Sequence, residues 1–203
     1  MSYAETYLGE VAEIAASIPS EDMERLAQGI AAVRARGGRL FILGVGGGAG
    51  HASHAVNDFR KIGHIESYTP SDNVSELTAR VNDEGWETSY SEWLKTSRID
   101  AGDAVLVFSV GGGSHEHQIS MNLVRAMDLA VEAGAPVYAI VGKADGHAAQ
   151  VADIAIVVEA PAARRTPHVE SFQAILWHLV VSHPVVEAQP GKWEEVDGAT
   201  AAS

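Results

Sequence analysis

The chain is short of two kinds of side chain. None of its 203 residues is cysteine, which excludes disulfide bonds, thiolate metal ligands and cysteine nucleophiles. Basic residues are also few, since 14 lysines and arginines stand against 27 aspartates and glutamates, a formal net charge of −13. Nucleic acids and anionic membrane surfaces are bound by basic faces, so neither partner is expected. Any anionic ligand must therefore be held locally.

Long apolar runs are absent as well. No stretch approaches the roughly 18 consecutive apolar residues of a membrane-spanning helix. Residues Met1 to Glu5 lack the basic start and apolar stretch of a signal peptide, so a cytoplasmic protein is expected. With 46% hydrophobic and 20% charged residues, the chain can bury a full core as one globular domain.

Helical and strand-like patterns alternate along the chain. Apolar residues at helical spacing predict two helices within residues 1–37, the second with its N-cap at Pro19-Ser20 and its end at Gly37-Gly38. Apolar runs predict strands at 39–43, 64–68, 103–108, 136–141 and 153–158. Further helices are predicted at 52–61, 74–81, 88–96, from the second glycine turn to about 132, and at 168–183.

This alternation predicts parallel strands joined by right-handed crossovers. The expected fold is α/β, a doubly wound and mostly parallel five-stranded sheet flanked by helices, with the helix pair at its N-terminus. Residues from Glu187 to Ser203 are expected to form a loose tail, in which Trp193 is the residue that could dock on the domain.

Two glycine-rich turns each follow a predicted strand directly. The first reads Gly44-Val45-Gly46-Gly47-Gly48-Ala49-Gly50 and the second Ser109-Val110-Gly111-Gly112-Gly113-Ser114. Ligands of doubly wound sheets bind beyond the carboxyl ends of the strands, where both turns would lie. Exposed backbone N–H groups at two such turns indicate one anion-binding crevice for a small molecule.

Other interpretations of the first turn compete with this one. Residues 44–49 match the G-x-G-x-x-A pattern of dinucleotide sites, but no acidic residue ends the second strand cleanly, Asp72 being the nearest. A Walker A loop is excluded, because no Gly-Lys-Ser/Thr follows. Glycines also simply permit tight turns, which explains one such turn but not two so rich in glycine.

Several segments together resemble the sugar isomerase (SIS) domain family. They are the N-terminal helix pair, the first glycine turn with His54 and Asp58 after it, Val81-Asn82-Asp83, the second glycine turn, and Thr166-Pro167-His168-Val169-Glu170 leading to His178. Within that family the chain is most similar to the phosphoheptose isomerases, which interconvert a ketose phosphate and an aldose phosphate. The resemblance implies one flavodoxin-like SIS domain over residues 1–183, with helices in 1–37 that pack in an oligomer and a tail at 184–203.

The resemblance also implies a metal site. Zinc-binding members hold the ion with four side chains, whose positions are occupied here by His54, Asp58, Glu170 and His178. The family has Glu and Gln where Asp58 and Glu170 stand, and both replacements keep an oxygen ligand suited to a divalent metal. His54 and Asp58, four residues apart, share a helix face. Eight residues of helix separate Glu170 from His178 by about 12 Å along the axis. Both can reach one ion only if their side chains are extended, or if Glu170 precedes the helix.

By family position Asp58 is the expected base and His178 the expected acid. They would move protons between C1 and C2 of an open-chain sugar through an enediol, with sedoheptulose 7-phosphate as the expected substrate and a divalent metal, zinc by resemblance, polarising its oxygens. Because aspartate is one methylene shorter than glutamate, Asp58 is better supported as a ligand than as the base. The family is usually homotetrameric, with active sites at subunit interfaces.

The glycine turns depart from the family more than the metal positions do. The family turns typically read Gly-Asn-Gly-Gly-Ser and Ser-Thr-Ser-Gly-Asn-Ser, so this chain keeps backbone donors and loses most side-chain donors. His51 or His115 is a candidate for a compensating cation. His168 stands where the family often has arginine. These departures leave open a different phosphosugar as the substrate. The expected substrate-binding residues are Gly46, Gly47, Gly48, His51, Asp83, Ser109, Gly111, Ser114 and Glu170. For Asp83, a turn or helix-terminal aspartate is an equally good interpretation.

Functions from different classes remain open at this stage. One is the aldose–ketose isomerase, and another is a non-catalytic SIS module that senses sugar phosphates or acts as an assembly adaptor. Metal-ligand side chains at all four positions favour the enzyme, because an adaptor has no need of them. Dinucleotide binding would demand an acidic ribose contact that the sequence does not offer.

Overall fold

The computed structural model describes the backbone of residues 1–201 and the side chains of residues 1–196. The helices are α1 (Tyr3–Ser17), α2 (Ser20–Ala35), α3 (Gly47–Lys61), α4 (Val74–Asp83), α5 (Ser89–Thr96), α6 (Met121–Glu132), α7 (His147–Val151), α8 (Arg165–Val181) and α9 (Lys192–Ala201). The strands are β1 (Leu40–Gly44), β2 (Ser67–Tyr68), β3 (Ala104–Ser109), β4 (Val137–Val141) and β5 (Ile154–Val157).

The five strands form one parallel sheet in the order β2-β1-β3-β4-β5. Gly44 at the end of β1 pairs with Phe108, and Ser109 at the end of β3 pairs with Val141, so the carboxyl ends of these strands share one edge. The chain leaves β1 toward β2 and returns on its other side at β3, which makes the gap between β1 and β3 the switch point of the sheet. The predicted α/β fold with its N-terminal helix pair is confirmed.

The sheet is buried on both faces, as its near-continuous apolar strands predict. Leu40 and Ile42 face a core completed by α2, α3 and α8, whereas Phe41 and Leu43 face a second core with α5 and α6. Alternate residues of each strand therefore anchor opposite layers of helices. Helices α3 and α8, which carry the predicted metal ligands, lie in the same layer.

Element boundaries differ from the prediction mainly beside glycines. Helix α3 begins at Gly47, inside the first turn, because Gly46 takes a positive φ of 60° and forms the N-cap. Helix α6 begins only at Met121, so residues 110–120 form a loop, closed by a bridge between Ser114 and Ile119. Helix α8 begins at Arg165, which places Pro167 in its first turn, where backbone N–H groups have no helical partner.

The C-terminal segment is more ordered than the expected loose tail. It ends in helix α9, and Trp193 on that helix does not dock, because it is 77% exposed. Val186, in contrast, is fully buried, and the Arg34 side chain donates hydrogen bonds to the carbonyls of Val185 and Val186. Among the described residues, no helix is long and apolar enough to cross a membrane.

Candidate active site

A cavity of about 190 Å³ lies between the two glycine turns, at the carboxyl ends of β1 and β3. It is the crevice that the switch point of the sheet predicts. Residues of the first turn, the second turn and one face of α8 line it, together with the N-cap of α6: Val45, Gly48, Phe108, Ser109, Val110, Gly111, Ser120, Glu170 and Gln173.

Close packing at the cavity explains why the first turn is rich in glycine. A Cβ on Gly48 would lie 2.7 Å from the carbonyl oxygen of Phe108, and one on Gly44 would lie 2.2 Å from the carbonyl oxygen of Gly48. Both neighbours are backbone atoms, which have little freedom to move. The glycines therefore let the start of α3 lie directly against the ends of β1 and β3.

The carboxylate of Glu170 lies against the first turn. A Cβ on Gly47 would fall 2.6 Å from the carboxyl carbon of Glu170, so the two residues are in close contact. Gly47 is the first residue of α3, and an acidic side chain at a helix N-terminus is stabilised by the helix dipole. The space in which this turn would hold an anion is therefore shared with a carboxylate of this chain.

Asp58 lies between two imidazoles. Its Oδ2 is 3.8 Å from Nε2 of His54, one turn earlier on α3, and 3.6 Å from Nε2 of His178 on α8. The three side chains form a group whose ligand atoms all lie within 4.8 Å of one another. Asp58 is largely buried while both histidines are about half exposed, so solvent has access to the group.

Neighbouring residues orient this group. Asn57 donates a hydrogen bond to Oδ1 of Asp58 at 2.8 Å, which leaves Oδ2 to face the imidazoles. His178 Nδ1 lies 2.7 Å from the carbonyl oxygen of Ala174. A carbonyl oxygen only accepts, so Nδ1 carries the proton and Nε2 is the nitrogen left to face Asp58. Buried Trp177 contacts both rings, 4.7 Å from His54 and 3.5 Å from His178 by centroids.

His51, in the second turn of α3, is close enough to Glu170, His54 and His178 for their charges to affect its imidazole. Burial lowers the pKa of the His51 imidazole, the carboxylate of Glu170 acts to raise it, and the imidazoles of His54 and His178 act to lower it. The net direction is downward, so His51 favours its neutral form. The lowered pKa makes His51 a weaker candidate for the compensating cation than its sequence position indicates.

Relatives of known name match most of the chain, although no family model does. The lincomycin biosynthesis protein LmbN of Streptomyces lincolnensis is 33% identical over 159 residues, which cover 72% of this chain and 56% of that protein. The phosphoheptose isomerase of Mycobacterium tuberculosis is 31% identical over 161 residues, 76% of either chain. The chain belongs to the phosphoheptose isomerase family. The chain spans little more than half the length of the lincomycin protein.

A solved structure supports the same fold. Phosphoheptose isomerase GmhA from Neisseria gonorrhoeae superposes with a TM-score of 0.76 over 88% of this chain and 94% of that one, at 23% identity. The predicted resemblance to phosphoheptose isomerases is confirmed for the family and the fold.

The structure brings together three of the four positions at which the phosphoheptose isomerase resemblance predicts metal ligands. His54, Asp58 and His178 form the group described above, and Glu170 is not a member of it. Glu170 lies within regular α8, two turns before His178, so the suggestion that it precedes the helix is wrong. Its carboxylate lies beside Gly47 at the cavity instead.

Other predicted substrate-binding residues are distributed unevenly around the cavity. Ser109 and Gly111 line it, and Ser109 Oγ accepts a hydrogen bond from the backbone N–H of Gly112. Ser114 lies farther along the loop, where its Oγ accepts from the N–H of His117. Asp83 ends α4, exposed and hydrogen bonded by Asn82, and does not line the cavity.

Gln173 is a site residue that the sequence analysis missed. It is fully buried, lines the cavity and donates from Nε2 to the carbonyl of Ile140 at 3.3 Å, while its Oε1 has no hydrogen-bond partner within the described structure. The available signal was its spacing, because residues three apart on a helix share a face and Gln173 follows Glu170 by three. It adds a second acceptor to the α8 side of the cavity.

Proposed function

We propose that the protein interconverts the ketose and aldose forms of a phosphorylated sugar through an enediol, with sedoheptulose 7-phosphate as substrate. The supporting observation is Asp58, a largely buried carboxylate between two imidazoles. It lies about three turns along α3, the helix whose first turn lines the cavity with Gly48, and His178 lies on α8, which lines the cavity with Glu170 and Gln173. Positioned acid and base groups of this kind contribute about 10²- to 10⁴-fold each to proton-transfer reactions. Family membership supports the reaction class.

The side chains of the group can divide the proton transfers between them. Oδ2 of Asp58 removes a proton from C1 of the ketose while the carbonyl oxygen at C2 takes a proton from Nε2 of His178, which gives the enediol. Asp58, whose acquired proton exchanges with solvent because the group is open to it, then delivers a proton to C2, while Nε2 of His178 takes the proton from the oxygen on C1, which gives the aldose. Asn57 holds the unreactive oxygen of Asp58, and Ala174 fixes the reactive nitrogen of His178.

The same three side chains suit a divalent metal. Ligand atoms around tetrahedral zinc, with bonds of about 2.0–2.1 Å, lie roughly 3.3 Å apart. The Nε2–Oδ2 separations of 3.8 and 3.6 Å exceed hydrogen-bond distances and are close to that spacing. We infer that His54, Asp58 and His178 would hold the ion, which would polarise the substrate oxygens as a Lewis acid.

The tautomer of His178 makes two of its predicted roles mutually exclusive. Since Nδ1 donates to Ala174, Nε2 alone is available, either to hold a metal or to carry the acidic proton. A protein loaded with metal at this group would therefore need another proton donor at the carbonyl oxygen. Metal content and activity must be measured on the same sample to separate the two cases.

The experiment combines metal analysis of the purified protein with an isomerase assay on sedoheptulose 7-phosphate. Asp58→Asn and His178→Ala are the site variants, and Asp72→Asn and His117→Ala are controls of the same chemistry at exposed positions. We expect at least about a 100-fold loss of kcat/KM in the site variants and none in the controls. Turnover that survives both site substitutions would show that the site is misplaced. Ligand binding without any turnover would favour the non-catalytic SIS module.

We propose in addition that the protein is a homotetramer, the assembly that the resemblance implies, in the cytoplasm. Supporting an oligomer, Ile175 and Leu179 of α8 are 48% and 41% exposed beside an apolar groove shared with α1 and α2. Light scattering during size-exclusion chromatography measures the molar mass of the assembly directly. A monomer at micromolar concentration would contradict the tetramer.

A further inference from the structure

A second group of metal-ligand side chains lies on the other side of the second glycine turn. His115 belongs to the loop that follows this turn, Asp128 to α6, and His147 is the first residue of α7. Nε2 of His115 is 3.0 Å from Oδ2 of Asp128, and Nε2 of His147 is 2.7 Å from Oδ1. The three ligand atoms lie within 4.8 Å of one another. None of these residues lines the cavity or belongs to the proposed reaction.

The donor set is one that binds zinc-like ions. Two neutral imidazole nitrogens and one carboxylate oxygen are preferred ligands of zinc, which needs only a water to complete a tetrahedron. The two rings stand nearly perpendicular, at 85° with centroids 4.8 Å apart, and both direct Nε2 toward the same carboxylate. His147 is 12% exposed and His115 is 54% exposed, so the group has a fixed inner side and an open outer side.

The distances within the group set a condition on metal binding. Separations of 2.7 and 3.0 Å are those of hydrogen bonds donated by two imidazoles, whereas ligands of one zinc ion lie roughly 3.3 Å apart. An ion therefore replaces both hydrogen bonds and moves the ligands apart by a few tenths of an ångström. His115 can make this adjustment, because it is exposed and lies on a loop.

The group joins three segments that surround the second glycine turn. The N–H groups of His147 and Ala148 already bind the carbonyls of Gly113 and Gly112, at 3.0 and 2.9 Å. Between the turn and α6, Gln118 and Ser120 adopt positive φ values of 52° and 51°, which side-chain-bearing residues rarely take. Such a loop needs external contacts to hold one conformation.

We propose that His115, Asp128 and His147 form a second divalent-metal site, of the zinc class, that fastens the 110–120 loop to α6 and α7. The ion acts structurally, because its ligands come from the loop itself and from the two helices that the loop must be held against. Its occupancy does not depend on the group at Asp58.

The test isolates this site by removing the other one. The double variant Asp58→Asn/His178→Ala is stripped of metal with a chelator, dialysed against zinc and analysed for bound metal. The same measurement is made on two triple variants, which carry His115→Ala or Asp128→Asn in addition. We expect about one zinc per chain in the double variant, close to none after either addition, and about one after the control His117→Ala on the same loop. Two triple variants are used because one of them could lose zinc simply by failing to fold.

Hydrogen exchange provides a readout independent of both activity and stoichiometry. In the double variant, zinc should slow amide exchange in residues 110–120, and the effect should vanish with His115→Ala. Absence of zinc from the double variant, or zinc that remains after both His115→Ala and Asp128→Asn, would overturn the proposal. Either result leaves the proposed isomerase untouched, because that function is measured with wild-type protein and the Asp58 group.

Discussion

Adjacent glycines at the start of α3 are required for different reasons. Gly48 packs against the backbone of β3, where a Cβ would lie 2.7 Å from the Phe108 carbonyl oxygen. Gly47 packs against the end of the flexible Glu170 side chain, which can move aside. Gly50, two residues after Gly48, has open space where its Cβ would be. Stability therefore depends on Gly48, whereas Gly47 affects the position of a carboxylate at the cavity.

Gly48→Ala should destabilise the protein by about 1–3 kcal/mol, because overpacking against fixed backbone forces α3 away from β3. Gly50→Ala, the matched control on the same helix, should stabilise it by up to about 1 kcal/mol through helix propensity. Urea unfolding of the two variants measures both changes. Equal stabilities would mean that α3 does not approach β3 as closely as described.

The charge of Glu170 should weaken binding of a phosphorylated substrate in this cavity. Glu170→Gln, which restores the residue type that the family carries there, removes a negative charge and keeps an oxygen ligand. We expect KM for the sugar phosphate to fall roughly three- to thirty-fold. This corresponds to removal of a repulsion on the order of 1 kcal/mol between the Glu170 carboxylate and the phosphate. Steady-state kinetics with metal content recorded measures the change, and Glu159→Gln at an exposed position is the control. A KM that stays constant or rises would place the phosphate elsewhere.

The sequence predicts part of the candidate site, and the reason is visible at particular residues. His54 and Asp58 meet because helix periodicity places residues four apart on one face. His178 joins them only through the packing of α8 beside α3, so for this residue the prediction rested on family resemblance. Glu170 lines the cavity beside the first glycine turn, and Gln173 is not predicted, because the packing of α8 against that turn decides which of its side chains reach the cavity.

At the scale of elements, an ion-pair cluster ties α1 to the start of α8. Glu10 accepts hydrogen bonds from Nε of Arg164 and from Nε2 of His168, each at 2.8 Å. The His168 ring is buried and stacks on Tyr7 with centroids 4.3 Å apart. The hydrogen bond from Arg164 and then that from His168 lower the pKa of Glu10 from 4.5 to about 2.

This lowered pKa predicts how stability depends on pH. The folded protein holds Glu10 ionised, so its contribution is complete above pH 4.5 and is lost as the pH falls toward about 2. Glu10→Gln should therefore have a lower Tm than wild type at pH 6, and the difference should shrink as the pH falls below 4.5. Thermal unfolding at a series of pH values measures it. Glu13→Gln, exposed on the same helix, is the control, and a gap that is independent of pH would refute the ion pair.

Elements were predicted well where the apolar pattern is long and poorly where glycine intervenes. The strands at β1, β3, β4 and β5 match their apolar runs within one residue at either end, because buried parallel strands read as continuous apolar segments. The first turn of α3 was placed five residues late, because glycine has low helix propensity and tertiary contacts overrule it here. The late start of α6 reflects a loop held by the bridge between Ser114 and Ile119 and by backbone hydrogen bonds from α7, neither of which the apolar pattern reveals.

At the scale of the whole molecule, the order β2-β1-β3-β4-β5 brings the two glycine turns together. Strands β1 and β3 are separated by some 60 residues of sequence, yet they are neighbours at the switch point of the sheet. The same arrangement places α3 and α8 in one layer, and so places Asp58 opposite His178. Fold, cavity and the candidate catalytic pair therefore follow from one topological feature.

Asp58 moves a proton of the sugar in the proposed reaction, so deuterium from the solvent should enter the product. Sedoheptulose 7-phosphate is incubated in D₂O with wild-type protein, Asp58→Asn or the exposed control Asp72→Asn, and the product is followed by NMR. We expect an aldose phosphate carrying deuterium at C2 from the wild type and the control, and at least about a 100-fold slower reaction with Asp58→Asn. Conversion by Asp58→Asn at the wild-type rate would contradict this role of Asp58.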